Sequence, residues 1–362
     1  MENVLAGISA RGMRILVALS PWDNLQWYLV AELQRQHIWQ VDAVTGIACD
    51  GSLRSRLIYR FGAAVQNEHL ILSRALREAD LESYDYILVN EVTCASNIIR
   101  YIRSRNSQAQ LFYVMWNTAD THKHFLYDFK KDFLRVVSMQ ESGRVAVVSF
   151  DAGDCRRYGL RFNGQVVPFF AAEAPDGAAA YGAAEAEDCF FCGVDKGRLP
   201  ILRNLAEELA ARGITYRFLL APQRRHHYTA AERPWLTLHE QIPYDQMVRE
   251  LWRHRVIVDI VQAEQQGLTW RPIEALFYHK KLITNFAAIK DYDFYRHENI
   301  FILGEDRMED FAAFVRQPYV PLPEQMVQQY QVTDWLERLI TGETMANYST
   351  GFTQMTITGE RH

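Results

Sequence analysis

Residues 256–285 read VIVDIVQAEQQGLTWRPIEALFYHKKLITN. Val256 to Val261 is a continuous apolar run, Gly267 and Thr269 lie in a polar turn, and apolar spacing predicts a helix from about Arg271 to Tyr278. Leu282 to Thr284 predicts a second buried strand. Two apolar strands joined through a helix are parallel, because antiparallel neighbours need no crossover. The loop after the first strand then lies at the carboxyl edge of the sheet, where open α/β sheets bind ligands. That loop and the first helical turn carry Gln266, Thr269, Arg271 and Glu274, a dense polar set between core strands.

Outward from this unit the same alternation repeats. DCFFCG predicts a strand from Cys189, VDKGR a turn, and Leu199 to Arg212 a helix ended by Gly213. Thr215–Leu220 and Leu236–His239 predict strands, and Tyr244–Trp252 a helix. After the opening stretch come a strand at Ile300–Leu303 and helices over about 307–316 and 324–340. The N-terminal half predicts strands at Met13–Leu19, Val41–Ile47, Tyr84–Val89, Leu111–Met115 and Arg144–Ser149. Helices are expected at 24–36, 65–77, 95–105 and 122–137, with a short one after the Asp151 cap. Residues 171–187, AAEAPDGAAAYGAAEAE, lack a strand pattern. The expectation is therefore an α/β chain of two Rossmann-like domains facing a central cleft. Its parts are an N-terminal domain over 1–170, a linker over 171–187, a second domain over 188–340 closed by a C-terminal helix, and a polar tail over 341–362.

The chain has 362 residues, 49% of them apolar and 23% charged, which suits two buried cores. A net charge of −5 argues against a nucleic-acid partner, whose phosphates demand a broad basic surface. No apolar run reaches the roughly 18 to 20 residues that span a bilayer, and no secretory leader is apparent. The five scattered cysteines fit reduced thiols, and Cys189-x-x-Cys192 lies inside an apolar run with no second ligand pair. A cytoplasmic location is expected.

Four segments, FFCGVDKGR (Phe190–Arg198), QQGLTWRPIEALFYHKKLITN (Gln265–Asn285), YDFYRHENIFI (Tyr292–Ile302) and SFDAGDCRRYGLRFN (Ser149–Asn163), occur in an order and spacing that resembles the GT-B glycosyltransferases. The likeness is nearest to bacterial sugar transferases of lipopolysaccharide and capsule biosynthesis, and covers most of residues 150–335. It implies transfer of a sugar from a nucleotide donor, expected to be UDP-linked, to a glycan or lipid-linked acceptor, with neither metal nor cofactor. Many retaining relatives carry two Glu separated by seven residues in this loop and helix. Here Glu274 matches the second, and Gln266 stands at the first. By that resemblance Glu274 would contact the ribose, and Gln266, Gly267 and Thr269 would lie near the sugar and diphosphate.

The residue chemistry agrees with that placement. Thr269 and the free amides at the start of a helix favour an anion. Arg271 is suited to a bidentate phosphate contact, although Arg271 and Glu274 three apart also fit an ordinary surface pair. Lys196 and Arg198 flank Gly197 ahead of a helix, where two cations suit a leaving diphosphate. Tyr244 is a candidate for the nucleobase pocket or an ordinary helix-start aromatic. The first domain should supply the acceptor side and any general base. Asp23, Glu91 and Asp120 are the candidates, with His122 beside the last, each at the end of an expected strand. Asp291 and Asp293 form a D-x-D in a position unsuited to a metal, and Arg224 to His227 read as a basic lid. The interleaved aromatics and lysines of 122–137 fit either a core helix or contact with an anionic membrane face. The rival readings are a same-fold nucleotide-sugar epimerase and a non-catalytic glycan-binding or partner subunit, the latter suggested by Gln266.

Overall fold

The computed structural model describes residues 12–21, 24–49, 52–65, 67–120, 129–169, 188–223, 226–240, 242–262 and 265–343. Asp23, His122, the expected linker over 171–187 and the tail beyond Glu343 lie outside the described residues. The chain divides into two compact units, Met1–Gly164 and Gln165–His362.

In unit 1 the strands are β1 (Arg14–Leu19), β2 (Gln40–Thr45), β3 (Tyr86–Asn90), β4 (Gln110–Val114), β5 (Ala146–Ser149) and β6 (Arg161–Phe162). They form one sheet in the order β2-β1-β3-β4-β5-β6, and every neighbouring pair is parallel. Every residue of β3 is buried, as expected where helices cover both faces of a parallel sheet. The sixth strand escapes a pattern reading because two residues carry no periodicity; it is held by pairing of Arg161 and Phe162 with Val148 and Ser149.

Between β2 and β3 the single expected helix over 65–77 is replaced by three, Leu53–Ala64, Glu68–Ile71 and Arg74–Glu78. Two caps break the run. The Asn67 side chain accepts from His69 N at 3.0 Å, and Ser73 Oγ accepts from Leu76 N at 2.9 Å. The first two helices meet at Gly62, where a Cβ would lie 2.4 Å from Leu70 Cβ. Gly62→Ala should therefore destabilise the protein by about 1–3 kcal/mol of overpacking, more than the roughly 1 kcal/mol that alanine gains in a helix. A thermal midpoint at or above wild type would contradict that close approach.

The 122–137 stretch is described only from Phe129, where a helix runs to Glu141. It buries Phe133 and Val136 in the unit 1 core, and Lys130 Nζ donates to Asp120 at 2.7 Å and Tyr158 at 2.5 Å. This described part packs one face of the helix into the core of unit 1.

Unit 2 contains β7 (Cys189–Val194), β8 (Tyr216–Ala221), β9 (Val256–Asp259), β10 (Lys281–Thr284) and β11 (Ile300–Ile302). The order is β11-β10-β9-β7-β8, again parallel throughout. The Leu199–Ala211 helix ends where Gly213 takes φ +65° and Ile214 N donates to Leu209 O at 3.0 Å. Leu236–His239 is not a strand. Its Thr237 hydroxyl donates to Phe218 O at 3.0 Å and accepts from Leu220 N at 2.9 Å, so a side chain takes the place of part of the ladder beside one backbone bond, Leu238 N to Leu220 O at 3.1 Å. The expected C-terminal helix is two, Glu324–Gln328 and Val332–Thr341. Tyr330, in the turn between them, is buried and donates to Asp293 at 2.7 Å, which gives the D-x-D aspartate a tethering role. Among the described residues no helix is long and apolar enough to cross a membrane. The five cysteines are buried and free, and burial pushes the Cys192 thiol up to about 11.

Candidate functional site

The polar residues of unit 2 converge at the carboxyl edge of its sheet, where β7, β9 and the Trp270–Phe277 helix meet. The turn after β7 is the most specialised part. Lys196 has φ +45° and Gly197 φ +82°, two consecutive left-handed residues, and the first is not glycine. A lysine held there is costly, and such strain collects at functional turns. Asp195 secures the turn: it is buried, and its carboxylate accepts from Leu199 N at 2.8 Å and Tyr228 Oη at 2.9 Å. Its backbone is bonded at both ends, Asp195 N to Ala221 O at 2.9 Å and Arg198 N to Asp195 O at 2.8 Å. Among the described residues the amides of Lys196 and Gly197 make no hydrogen bond. Two unbonded amides in a turn are the kind of donors from which an anion-binding nest is built.

Two cations flank that nest. The Arg198 guanidinium reaches along the sheet edge, with Nε donating to Ile260 O at 2.6 Å and Nη1 to Val194 O at 2.9 Å. Burial lowers its pKa, with Asp259 acting the other way, and an arginine remains charged regardless. Lys196 keeps solvent contact, while partial desolvation and then the charge of Arg198 lower its pKa.

Asp259, at the end of β9, is a buried hub that the sequence reading missed; a carboxylate closing the apolar run VIVD is the signal that marks it. Desolvation raises its pKa, against the Thr269 hydrogen bond and the charge of Arg198. Thr269 Oγ1 donates to Asp259 Oδ1 at 2.9 Å and accepts from Arg271 N at 3.2 Å, capping the Trp270–Phe277 helix. Thr269→Ala should cost about 1–2 kcal/mol through the lost cap, and Thr269→Ser should recover most of it in a thermal melt. The helix start offers fewer donors than expected. Arg271 N is taken by Thr269, and Pro272 has no N–H, which leaves the amide of Trp270 in the first turn.

Arg271 and Glu274 are not a surface pair. Their side chains are 18% and 0% exposed. Arg271 Nη1 donates to Glu274 Oε2 at 2.5 Å, and Nη2 to Cys192 O at 2.5 Å on β7. Burial is the largest single influence and works against the Arg271 charge, but the charge and hydrogen bond of Glu274, together with Cys192 and Tyr244, raise its pKa. The Tyr244 hydroxyl belongs to the same interior cluster: burial, then the charge of Glu274, holds its pKa well above the ordinary value. Glu274 therefore presents no surface to a ribose, and Tyr244, itself buried, turns its hydroxyl to the core. Gln266 is exposed at the edge and Gly267 is buried, its carbonyl accepting from Gln265 Nε2 at 3.0 Å.

In unit 1, Glu91 follows β3 at the carboxyl edge of that sheet. Its Oε2 accepts from Trp116 N at 2.7 Å, Asn117 N at 2.8 Å and Asn117 Nδ2 at 3.2 Å, bracing the turn after β4. Asp120 is paired with Lys130 at 2.7 Å and Arg157 at 2.9 Å. The Lys130 hydrogen bond leads the effects that lower its pKa, which weakens it as a base. A depression of about 920 Å³ lies at the opposite edge of the same sheet, beside Arg103, Gln110 and Ala146. Among the described residues no group of three or more His, Cys, Asp or Glu is arranged to hold a metal ion.

No protein-family model matches the sequence, and no curated protein matches it. Solved structures do. HepE of Anabaena in complex with UDP-glucose superposes with a TM-score of 0.54 at 11% identity, over 91% of this chain and 98% of that one. The same protein with UDP and glucose gives 0.50 at 13% identity, with the same coverage. The catalytic domain of starch synthase IV from Arabidopsis thaliana, bound to ADP and acarbose, gives 0.50 at 10% identity over 91% and 98%. With two parallel sheets of six and five strands, each flanked by helices, the chain has the α/β fold of two Rossmann-like domains found in GT-B proteins.

Proposed function

We propose that the chain is a glycosyltransferase that moves a sugar from a UDP-linked donor to a hydroxyl of a bacterial surface glycan or its lipid-linked precursor. The observation that carries this reading is the turn after β7, where two unbonded amides and two cations, Lys196 and Arg198, meet at the carboxyl edge of the second sheet. The fold neighbours with UDP-glucose, UDP or ADP in their complexes support a nucleotide at that edge. Transfer breaks the bond between the anomeric carbon and the diphosphate oxygen, and negative charge grows on the departing diphosphate. Donors already fixed toward that charge lower the barrier. In this reading side-chain cations and the nest supply that stabilisation, with no metal or cofactor.

Thr269 and Asp259 act through geometry, holding the helix start beside Arg198. Glu274 and Arg271 lock the same helix to β7 from beneath, so Glu274 is a positioning residue. Gln266, at the exposed rim, is assigned to the sugar end of the donor, and Tyr244 to the packing behind it. On the acceptor side Asp120 is a poor base, and the assignment rests on Glu91 and Asp23. The protein would work in the cytoplasm.

Thermal melts against a panel of nucleosides, nucleoside diphosphates and nucleotide sugars test this directly. UDP at about 100 times its Kd should stabilise the protein by about 2.7 kcal/mol, with uridine giving far less. Absence of any shift across the panel would overturn the donor-site reading. A UDP shift without release of UDP from any UDP-sugar would favour the non-catalytic subunit.

A further inference from the structure

The depression at the amino edge of the first sheet lies between the starts of β4 and β5 and the ends of the Ala95–Arg105 and Phe129–Glu141 helices. Its volume, about 920 Å³, is that of a small-molecule site. Arg100, Arg103 and Arg144 are among the residues that line it, and none of its lining residues is Asp or Glu. In a chain whose net charge is −5, a recess lined by three cations and no acid stands apart. Helix carboxyl ends attract cations, which accounts for arginines nearby but not for how these are held.

Arg103 is half-buried, and its guanidinium is fixed by backbone carbonyls. Nε donates to Arg144 O at 2.6 Å, and Nη1 donates to Ala109 O at 2.6 Å and Ser107 O at 3.3 Å. Neutral carbonyls orient the fork without balancing its charge. Burial lowers its pKa with no carboxylate acting the other way, and an arginine remains charged regardless. Among the described residues its Nη2 makes no hydrogen bond. Arg144 is placed by the turn that closes the second helix, where Gly143 has φ +70° and Arg144 N donates to Met139 O at 3.0 Å. Its side chain is exposed and makes no hydrogen bond or ion pair among the described residues. The wall between them is rigid. Buried Asn106 donates to Leu81 O at 2.8 Å and Tyr84 O at 3.0 Å, and accepts from Gln108 N at 2.9 Å and Ala109 N at 2.8 Å. A site fixed in advance loses little freedom on binding.

We propose that this recess is a second ligand site, which binds the phosphate of a small phosphorylated sugar through Arg103 and Arg144. A guanidinium fork matches phosphate oxygens in pairs. The exposed Gln108 and Gln110 on the same lining add amides suited to sugar hydroxyls. A concave recess of this volume suits a small molecule better than a macromolecular partner, whose interface spreads over a far larger area. The site lies at the opposite strand ends from Glu91, so its ligand is neither donor nor acceptor but an effector.

The test is equilibrium dialysis of radiolabelled ribose 5-phosphate against the full chain at fixed ionic strength. The sugar phosphate should bind, inorganic phosphate should displace it, and ribose should not. Arg144→Ala should weaken binding about tenfold to 150-fold, the range for losing one hydrogen bond to a charged group. That side chain is exposed and unbonded, so the variant should keep its melting midpoint and its response to UDP. Arg198→Ala should bind ribose 5-phosphate as wild type does. No binding by the wild type, displacement by ribose as readily as by phosphate, or unchanged binding by Arg144→Ala would overturn the proposal. So would loss of binding in Arg198→Ala, which would assign the phosphate to the turn after β7. None of these results depends on sugar transfer, and the response to UDP is read separately, so this proposal and the glycosyl-transfer reading fail independently.

Discussion

Glu274→Ala is expected to lower the melting midpoint steeply, and to do so without any nucleotide present. The carboxylate has no exposed surface, and Arg271, which pairs with it at 2.5 Å, has a side chain only 18% exposed. Removing one member of a buried ion pair strands the other charge in a poorly solvating interior, at a cost of about 3–5 kcal/mol. For a unit the size of Gln165–His362, that corresponds to roughly 6 to 20 °C, at 2–4 °C per kcal/mol. Arg271→Ala should cost a comparable amount and adds the loss of the tie to Cys192 O. Arg271→Met with Glu274→Leu should recover much of either loss, because it removes both charges and refills the volume. A Glu274→Ala protein that melts like wild type but no longer responds to UDP would reverse this assignment and make the carboxylate a direct donor contact. The same reasoning makes Glu274 a poor probe of the donor site, since its loss disturbs fold and site together.

The distinction between these two roles was not available from the sequence. Glu274 lies three residues after Arg271 on a helix, a spacing that suits a solvated pair, a phosphate clamp or a buried lock equally well. Only the burial of the Trp270–Phe277 helix against β7 selects the last. Strand positions were far more legible: apolar runs such as VIVD and YILVN are buried on both faces, and nothing but a parallel sheet covered by helices accommodates them. Failures gathered where structure depends on single hydrogen bonds. Asn67 and Ser73 cut one expected helix by capping new ones, and Thr237 satisfies a sheet edge with its side chain. β6 is held by pairing alone. The helix start is the exception, since Pro272 in TWRPIE already announces that one amide is missing. The turn after β7 was identified for its cations, but the left-handed backbone at Lys196, which bares two amides, is a tertiary outcome. Asp259 was overlooked because its role depends on Thr269, ten residues on, and on Arg198, far back in the sequence, which reach it only in the folded sheet.

Arg198→Ala should abolish most of the stabilisation by UDP while leaving any response to uridine unchanged. The side chain is suited to the diphosphate by how it is held. Nε and Nη1 are spent on Ile260 O and Val194 O, which aligns the guanidinium along the sheet edge and leaves Nη2 without a hydrogen bond among the described residues. A pre-aligned cation loses little freedom on meeting a phosphate. Its bond to a charged group contributes about 1.5–3 kcal/mol, so UDP affinity should fall about tenfold to 150-fold. Arg198→Lys keeps the charge but not both carbonyl contacts, and should fall between. Lys196→Ala removes the second cation and, with it, a non-glycine side chain from φ +45°. Lys196→Gly should therefore raise thermal stability slightly by relieving backbone strain while weakening UDP binding. That opposition of stability and affinity separates a functional turn from a solvated one, because a turn with no ligand would gain stability and lose nothing. Calorimetric titration of UDP, UMP and uridine into each variant resolves the matter: the penalty should grow with the number of phosphates. Equal losses for all three ligands would move Arg198 away from the diphosphate, and unchanged UDP binding in both Arg198→Ala and Lys196→Ala would remove the turn after β7 from the donor site.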